Sequence, residues 1–262
     1  MITIQKFKKM KKYEEKISMI TCYDYTSAKI INETDIDLVL VGDSAAMVMH
    51  GHDTTIPATV EMMTSHIEAV KRGIDKKIII ADMPFLAHRN DISSVIKSVD
   101  RLMKAGANAI KIEGGIANAK IIQHIVESGV PVMGHLGLMP QSVHSIGGWK
   151  VQGETELNAD QIKVDSEALE DAGIFGLVLE MVPSELAKKI TLKLKIPTIG
   201  IGAGVHTSGQ VLVFQDLLGL NPQFNPTFLR KYLDGFSMFK ESINQFCKDV
   251  KSENFPNNKE SF

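Results

Sequence analysis

Short apolar runs alternate along the chain with longer stretches in which apolar residues recur at helical spacing. Eight runs predict strands: Ile17–Cys22, Leu38–Gly42, Ile78–Ala81, Ala109–Ile112, Val130–Gly134, Gly176–Leu179, Thr198–Ile201 and Val211–Phe214. Most are rich in Val, Ile and Leu without polar alternation, the pattern of strands buried on both faces of a parallel sheet. Between them the periodicity predicts helices at Tyr25–Asn32, Val60–Arg72 with Thr59 as N-cap, Ser93–Ala105, Ala117–Ser128, Asp160–Ala172 and Pro183–Lys193. Gly106, Gly129 and Gly173 each stand between a helix end and the next apolar run, a C-terminal stop signal. Strands alternating with helices predict parallel order. A chain of 262 residues matches one closed α/β barrel, the (β/α)8 TIM barrel, which takes about 250 residues. The expected organisation is a single barrel domain over residues 1–247 with a short N-terminal extension, then a loose polar tail over 248–262. The Lys-rich N-terminal segment reads two ways, as a short helix closing the barrel floor or as a solvated charged face.

Composition narrows the function classes. The chain carries 29 basic and 31 acidic side chains, a formal net charge of −2. That balance offers no electrostatic case for nucleic acid or an anionic membrane. Arg occurs only at positions 72, 89, 101 and 230, which weakens forked phosphate recognition further. No apolar run is long enough to span a bilayer, and the N-terminus lacks the apolar core of a secretory leader. Two cysteines, Cys22 and Cys247, make neither a disulfide framework nor a zinc site, so a cytoplasmic location is expected.

Parallel β/α folds place chemistry at the C-terminal ends of their strands. There the sequence puts Asp43 and Ser44, then Asp82, then Lys111 and Glu113 within one run, then His135, then Glu180. Each alone has an ordinary structural explanation: a helix cap for Asp43, Asp82 or Glu180, an internal ion pair for Lys111 and Glu113, a hydrogen-bonded structural role for His135. Five successive strand ends bearing such groups point instead to one site. Several carboxylates buried together are costly unless a cation neutralises them. Asp43, Asp82 and Glu113 are hard oxygen donors with no Cys near, which points to Mg²⁺ rather than zinc. Such an ion suits chelation of a 2-oxo acid and stabilisation of its enolate. Gly200-Ile-Gly-Ala-Gly204 fits a phosphate loop only in part, lacking the Walker lysine. His50 and His52 lack a further ligand near in sequence, and Cys22 reads as a small hydrophobe.

At these same residues the chain resembles the ketopantoate hydroxymethyltransferase family. The resemblance is carried by Thr21-Cys-Tyr-Asp24, Val41-Gly-Asp-Ser44, Gly51-His-Asp-Thr-Thr-Ile-Pro57, Ala81-Asp-Met-Pro-Phe85, Lys111-Ile-Glu-Gly-Gly115, Gly134-His-Leu-Gly-Leu138 with Pro140-Gln-Ser142, Gly147-Gly-Trp-Lys-Val-Gln-Gly153, Leu179-Glu180 and Ile199-Gly-Ile-Gly-Ala-Gly204. It implies a barrel of the phosphoenolpyruvate/pyruvate type. It implies transfer of a one-carbon unit from 5,10-methylenetetrahydrofolate to 3-methyl-2-oxobutanoate, giving 2-dehydropantoate for pantothenate synthesis. By resemblance Asp43, Asp82 and Glu113 are the Mg²⁺ ligands. Asp43, Ser44, Asp82 and Lys111 contact the oxo acid, Glu180 is the proton acceptor and His135 a polar group of the pocket. Large homo-oligomers, often homodecamers, are implied as well. The chain departs from the family pattern at Val205-His-Thr-Ser208, a loop expected to border the site mouth on the folate side. The alternatives are another Mg²⁺-dependent 2-oxo acid lyase or mutase on the same barrel, or a barrel without catalysis. The lyase reading wants a Lys-Cys-Gly-His-type segment, which is absent.

Overall fold

The computed structural model describes residues 3–262. Eight strands, β1 (Ile17–Thr21), β2 (Leu38–Val41), β3 (Ile78–Asp82), β4 (Ala109–Glu113), β5 (Val132–Gly137), β6 (Gly176–Glu180), β7 (Thr198–Ile201) and β8 (Gly209–Leu212), pair in sequence order and close on themselves as a parallel barrel. Helices α1 (Gln5–Lys12), α2 (Tyr25–Asn32), α3 (Ala45–Val48), α4 (Val60–Gly73), α5 (Ile92–Lys104), α6 (Ala119–Glu127), α7 (Glu156–Asp171) and α8 (Ser184–Lys193) precede or connect them. Caps fix their starts. Asp24, Thr59, Asp91 and Thr155 each accept a backbone N–H from the first turn of the following helix.

The barrel interior is layered along its axis. Side chains of a strand repeat on one face every two residues. Ile17 and Met19, Leu38 and Leu40, Ile78 and Ile80, Ala109, Met133, Val178, Ile199 and Val211 therefore point inward and form one buried cluster. Phe7 and Met10 of α1 belong to the same cluster, so the N-terminal segment is a helix that plugs the floor. Lys11 secures it, donating to the carbonyl oxygens of Thr191, Leu194 and Ile196, each at 2.7 Å. These are unsatisfied acceptors at and beyond the end of α8. Two to four residues further along the same inward columns stand Asp82, Lys111 and Glu113, His135 and Glu180. The apolar column thus turns ionisable at the strand ends, the mouth.

Several boundaries differ from expectation. β5 begins after Pro131, which has no N–H to give, and runs on to Gly137, so His135 lies within the strand. β8 starts at Gly209, where a Cβ would stand 2.2 Å from the Ile17 carbonyl oxygen, two residues before the predicted run. The link from β7 to β8 contains no helix. It carries the chain back to the floor, where Ser208 exchanges hydrogen bonds with Thr198 (3.2 Å each) and its carbonyl accepts from Ile17 N–H (3.0 Å). Thr207 and Ser208 are therefore buried at the strand starts, not at the mouth where Val205–Ser208 was expected. The chain divides into two compact units after Leu212. The second, Val213–Phe262, contains α9 (Phe214–Leu217) and α10 (Gly235–Lys251). The expected boundary at residue 247 falls inside α10. The polar end of the chain hid a helix whose Phe236, Phe239, Ile243, Phe246 and Val250 recur at helical spacing and are exposed.

Candidate active site

Strand register sets the neighbours at the mouth. Asp82 pairs in register with Lys111, and Glu113 with His135. Lys111 Nζ lies 2.9 Å from Asp82 Oδ1, 4.0 Å from Glu113 Oε1 and 3.1 Å from His135 Nδ1. The His135 ring stands between two carboxylates, Nδ1 3.4 Å from Glu113 Oε1 and Nε2 3.3 Å from Glu180 Oε2. Asp43, just past β2, is tied in through its backbone N–H, which donates to Asp82 Oδ2 at 3.0 Å. Gly42 makes that approach possible, since a Cβ there would meet Ser44 Oγ at 2.9 Å and Asp82 Oδ2 at 3.4 Å. The sequence-predicted residues Asp43, Asp82, Lys111, Glu113 and His135 are all buried, and Ser44 and Glu180 are half-buried. All seven gather at one end of the barrel.

The electrostatics of this cluster are unbalanced. Burial works against the Lys111 ammonium, but Asp82, Glu113 and Asp43 around it raise its pKa and hold it charged. Burial and Lys111 likewise oppose a charged His135, yet Glu113 and Glu180 lift it to about 9. Burial would raise the Glu113 carboxyl, and His135, Lys111 and the Gln141 N–H hold it low. Asp43 goes the other way. Burial, then the charges of Asp82 and Glu113, push it well above the ordinary carboxylate range. Burial also raises Asp82, against the pull of Lys111. Four carboxylates face two cations, so two formal negative charges remain uncompensated.

That excess, with the donor set, tests whether a divalent cation fits. Asp82 Oδ1 is ion-paired with Lys111 Nζ at 2.9 Å, and Glu113 Oε1 has longer charged contacts, 3.4 Å to His135 Nδ1 and 4.0 Å to Lys111 Nζ. Among the described residues no three acid, His or Cys side chains stand ready-gathered as an ion site. The Lys111 ammonium stands among the acids, and Gln141 Nε2 donates to Asp43 Oδ2 at 2.8 Å. The carboxylates of Asp43, Asp82 and Glu113 are oxygen donors of the kind a hard cation takes.

Two polar residues of the site were not singled out from the sequence. Tyr23 is buried, and its hydroxyl shares a 2.7 Å hydrogen bond with Ser44 Oγ. Gln141, in the loop after β5, is buried and touches both Asp43 and Glu113. Both lie in segments that carry the family resemblance, which was the available signal. His88 is buried beside the mouth, and burial pushes its pKa down to about 4. His50 has a spatial neighbour that sequence separation concealed: its Nε2 lies 2.9 Å from His66 Nε2, while His66 Nδ1 donates to the Tyr23 carbonyl at 2.6 Å. Cys22 is fully buried, and burial pushes its thiol up to about 12, leaving it inert as a nucleophile.

The closed parallel barrel is a fold also found among members of the phosphoenolpyruvate mutase/isocitrate lyase superfamily. A 2,3-dimethylmalate lyase of that superfamily superimposes with a TM-score of 0.58 at 16% identity, covering 97% of this chain and 99% of the lyase. A phosphonopyruvate hydrolase solved with oxalate and Mg²⁺ gives 0.64 at 11% identity, covering 99% and 93%. Within that architecture the sequence matches are far closer. The model of the ketopantoate hydroxymethyltransferase family matches residues 1–258. A 3-methyl-2-oxobutanoate hydroxymethyltransferase of Coxiella burnetii is 56% identical over 251 residues, 95% of this chain and 94% of the relative. One from Bdellovibrio bacteriovorus is 53% identical over the full length of both chains. The chain belongs to the ketopantoate hydroxymethyltransferase family.

Proposed function

We propose that the mouth cluster carries out the family's reaction, transfer of a hydroxymethyl group to 3-methyl-2-oxobutanoate, as a step of pantothenate biosynthesis. The observation that carries the assignment of roles is the row Asp82–Lys111–Glu113–His135–Glu180, linked by contacts of 2.9–4.0 Å across four neighbouring strands. Asp43, Asp82 and Glu113 are the residues that would hold Mg²⁺. A bound Mg²⁺ supplies Lewis acidity to the keto group, which lowers the pKa of the C3–H bond.

The chain's own groups do the rest. Lys111 places a permanent positive charge where the oxo acid brings its carboxylate and where enolate charge develops. Ser44, fixed by Tyr23, offers a hydroxyl to the substrate. Glu180 stands at the rim with one oxygen facing His135 and is the base that takes the C3 proton. One water is consumed in the transfer: both methylene C–N bonds of 5,10-methylenetetrahydrofolate break, the methylene carbon bonds to C3 of the enolate and to the water-derived hydroxyl, and tetrahydrofolate leaves with the protons on its nitrogens. An 11%-identical barrel solved with oxalate and Mg²⁺ supports the view that this architecture accommodates a chelating dicarbonyl anion. Exchange of the C3 proton of 3-methyl-2-oxobutanoate in deuterated water tests this directly. It should require Mg²⁺ and be lost in Asp82→Ala, and exchange that ignores both would overturn the assignment.

The exposed apolar stripe of α10 supports association into homo-oligomers, for which a homodecamer is the expected size. Light scattering on the purified protein reads the mass, and a monomer would end that expectation. Among the described residues no helix is long and apolar enough to cross a membrane, and both thiols are free, which supports a cytoplasmic location.

A further inference from the structure

Gln141 occupies a position that neither charge nor catalysis explains. β5 ends at Gly137, whose φ of +93° and whose Cβ position, 2.1 Å from the Glu180 carbonyl oxygen, admit only glycine. The reversal there folds the following loop over the strand ends, where Leu138 N–H donates to the Glu180 carbonyl at 2.8 Å. The short 3₁₀ turn Pro140–Ser142 then carries Gln141 under the mouth. Its backbone N–H donates to Glu113 Oε2 at 3.1 Å, and its side-chain Nε2 donates to Asp43 Oδ2 at 2.8 Å and to the Met83 carbonyl at 2.9 Å. One residue from the loop after β5 thus ties the ends of β2, β3 and β4. Its own Oε1 is buried without a partner.

These bonds fall in a pattern. In Glu113, Oε2 accepts the Gln141 backbone N–H, and Oε1 faces His135 Nδ1 at 3.4 Å and Lys111 Nζ at 4.0 Å. In Asp82, Oδ2 accepts the Asp43 N–H and Oδ1 is ion-paired with Lys111 Nζ at 2.9 Å. A carboxylate held by one oxygen keeps a fixed orientation for the other, which is how outer partners tune ligand geometry. Gln is suited to the task in a crowded acidic site. Its amide brings two N–H donors and no charge, whereas Glu would add a negative charge and Asn would be one methylene short of Asp43.

We propose that Gln141 is a positioning residue that orients Asp43 and Glu113 for a divalent cation. The proposal rests on the reading that these acids hold such an ion. Mn²⁺ alone, titrated into the full-length protein and followed by the electron paramagnetic resonance of free Mn²⁺, tests both separately. Gln141→Met keeps the shape and removes the side-chain donors, and should bind Mn²⁺ about 10–100-fold more weakly at little change in melting temperature. Gln141→Asn, which keeps an amide but loses the reach, should weaken binding similarly and guards against a misfolded Met variant. Thr198→Val, which deletes a buried hydroxyl bonded to Thr191 and Ser208 at the start of β7, should lower the melting temperature and leave Mn²⁺ affinity unchanged. If both Gln141 variants bind Mn²⁺ as the wild type does, the Gln141 assignment is overturned and the cation reading stands. If the wild type takes up no Mn²⁺, the cation reading falls and the assignment with it.

Discussion

The floor and the mouth of the barrel are built from the same inward columns and obey opposite rules. At the floor Ile17, Leu38, Ile78 and Ala109 close around Phe7 and Met10, and every buried atom gains from leaving water. Two to four residues along the same strands, Asp82, Lys111, Glu113 and His135 are as deeply buried, and their charges meet one another in place of water. The floor therefore holds stability, while the mouth is tolerated because the rest of the barrel over-determines it. The separation is sharp because strand period places both on one face, and position along the axis alone decides which rule applies.

The largest predicted effect tests the mouth. Glu180→Gln keeps volume and hydrogen-bonding shape but cannot accept the C3 proton. Loss of a positioned general base costs about 10²–10⁴ in rate. We expect that loss in kcat and in C3 proton exchange, with a melting temperature equal to or above that of the wild type. A variant that keeps full exchange would remove Glu180 from the role of base.

The matching test at the floor is Phe7→Ala. Phe7 is 1% exposed, and deleting a buried ring typically costs about 3–5 kcal/mol. Urea unfolding should show that loss while kcat per folded molecule stays within about twofold. A large fall in kcat for the folded fraction would show that floor and mouth are coupled, and the comparison would break.

Legibility followed the same division. The apolar runs that become the floor were readable because continuous Val, Ile and Leu have few other uses. Asp82, Lys111, Glu113 and Glu180 were readable because they end those runs on the inward parity. His135 was found but placed after its strand, since Pro131 shifts the start of β5 along the chain. Gln141 was beyond the reach of residue-by-residue reasoning. It bonds to Asp43 across 98 positions, and a neutral amide gives no pattern to mark it. Tyr23 was hidden for a related reason, because its polar role exists only once the ends of β1 and β2 lie side by side. The helix α10 escaped because its apolar residues are exposed and separated by Lys, Glu and Asn, so no continuous run announces it.

Burial of titratable groups near the mouth should make stability depend on pH on both sides of neutrality. Burial lowers the pKa of His88 to about 4 from 6.5. The unfolded chain then binds more protons at this ring between those values, so its contribution to stability falls as pH drops from 6.5 towards 4, by roughly 3 kcal/mol at most. His135 is raised to about 9. Its contribution is complete below 6.5 and is lost as pH rises through 9, again by roughly 3 kcal/mol at most. The raised Asp43 and Asp82 carboxyls act the other way on the acid side, adding stability as pH falls, so His88→Leu should remove the His88 loss from the acid limb of the urea midpoints and leave the alkaline limb as it is. An acid limb unchanged in that variant would assign it to other groups.

The smallest effect probes how finely the mouth is built. Tyr23 and Ser44 share a hydrogen bond of 2.7 Å, and a neutral bond of this kind contributes about 1 kcal/mol. Tyr23→Phe removes the hydroxyl with little change in volume, so its stability cost should be near that figure. If the bond serves to orient Ser44, its loss should also raise KM for 3-methyl-2-oxobutanoate several-fold with kcat less affected. Ser44→Ala should raise KM by itself, and adding Tyr23→Phe to it should then raise KM no further. The double-mutant cycle isolates this coupling, which should be about 1 kcal/mol. Additive effects of the two substitutions would mean that Tyr23 merely fills space, as Phe7 does at the other end of the barrel.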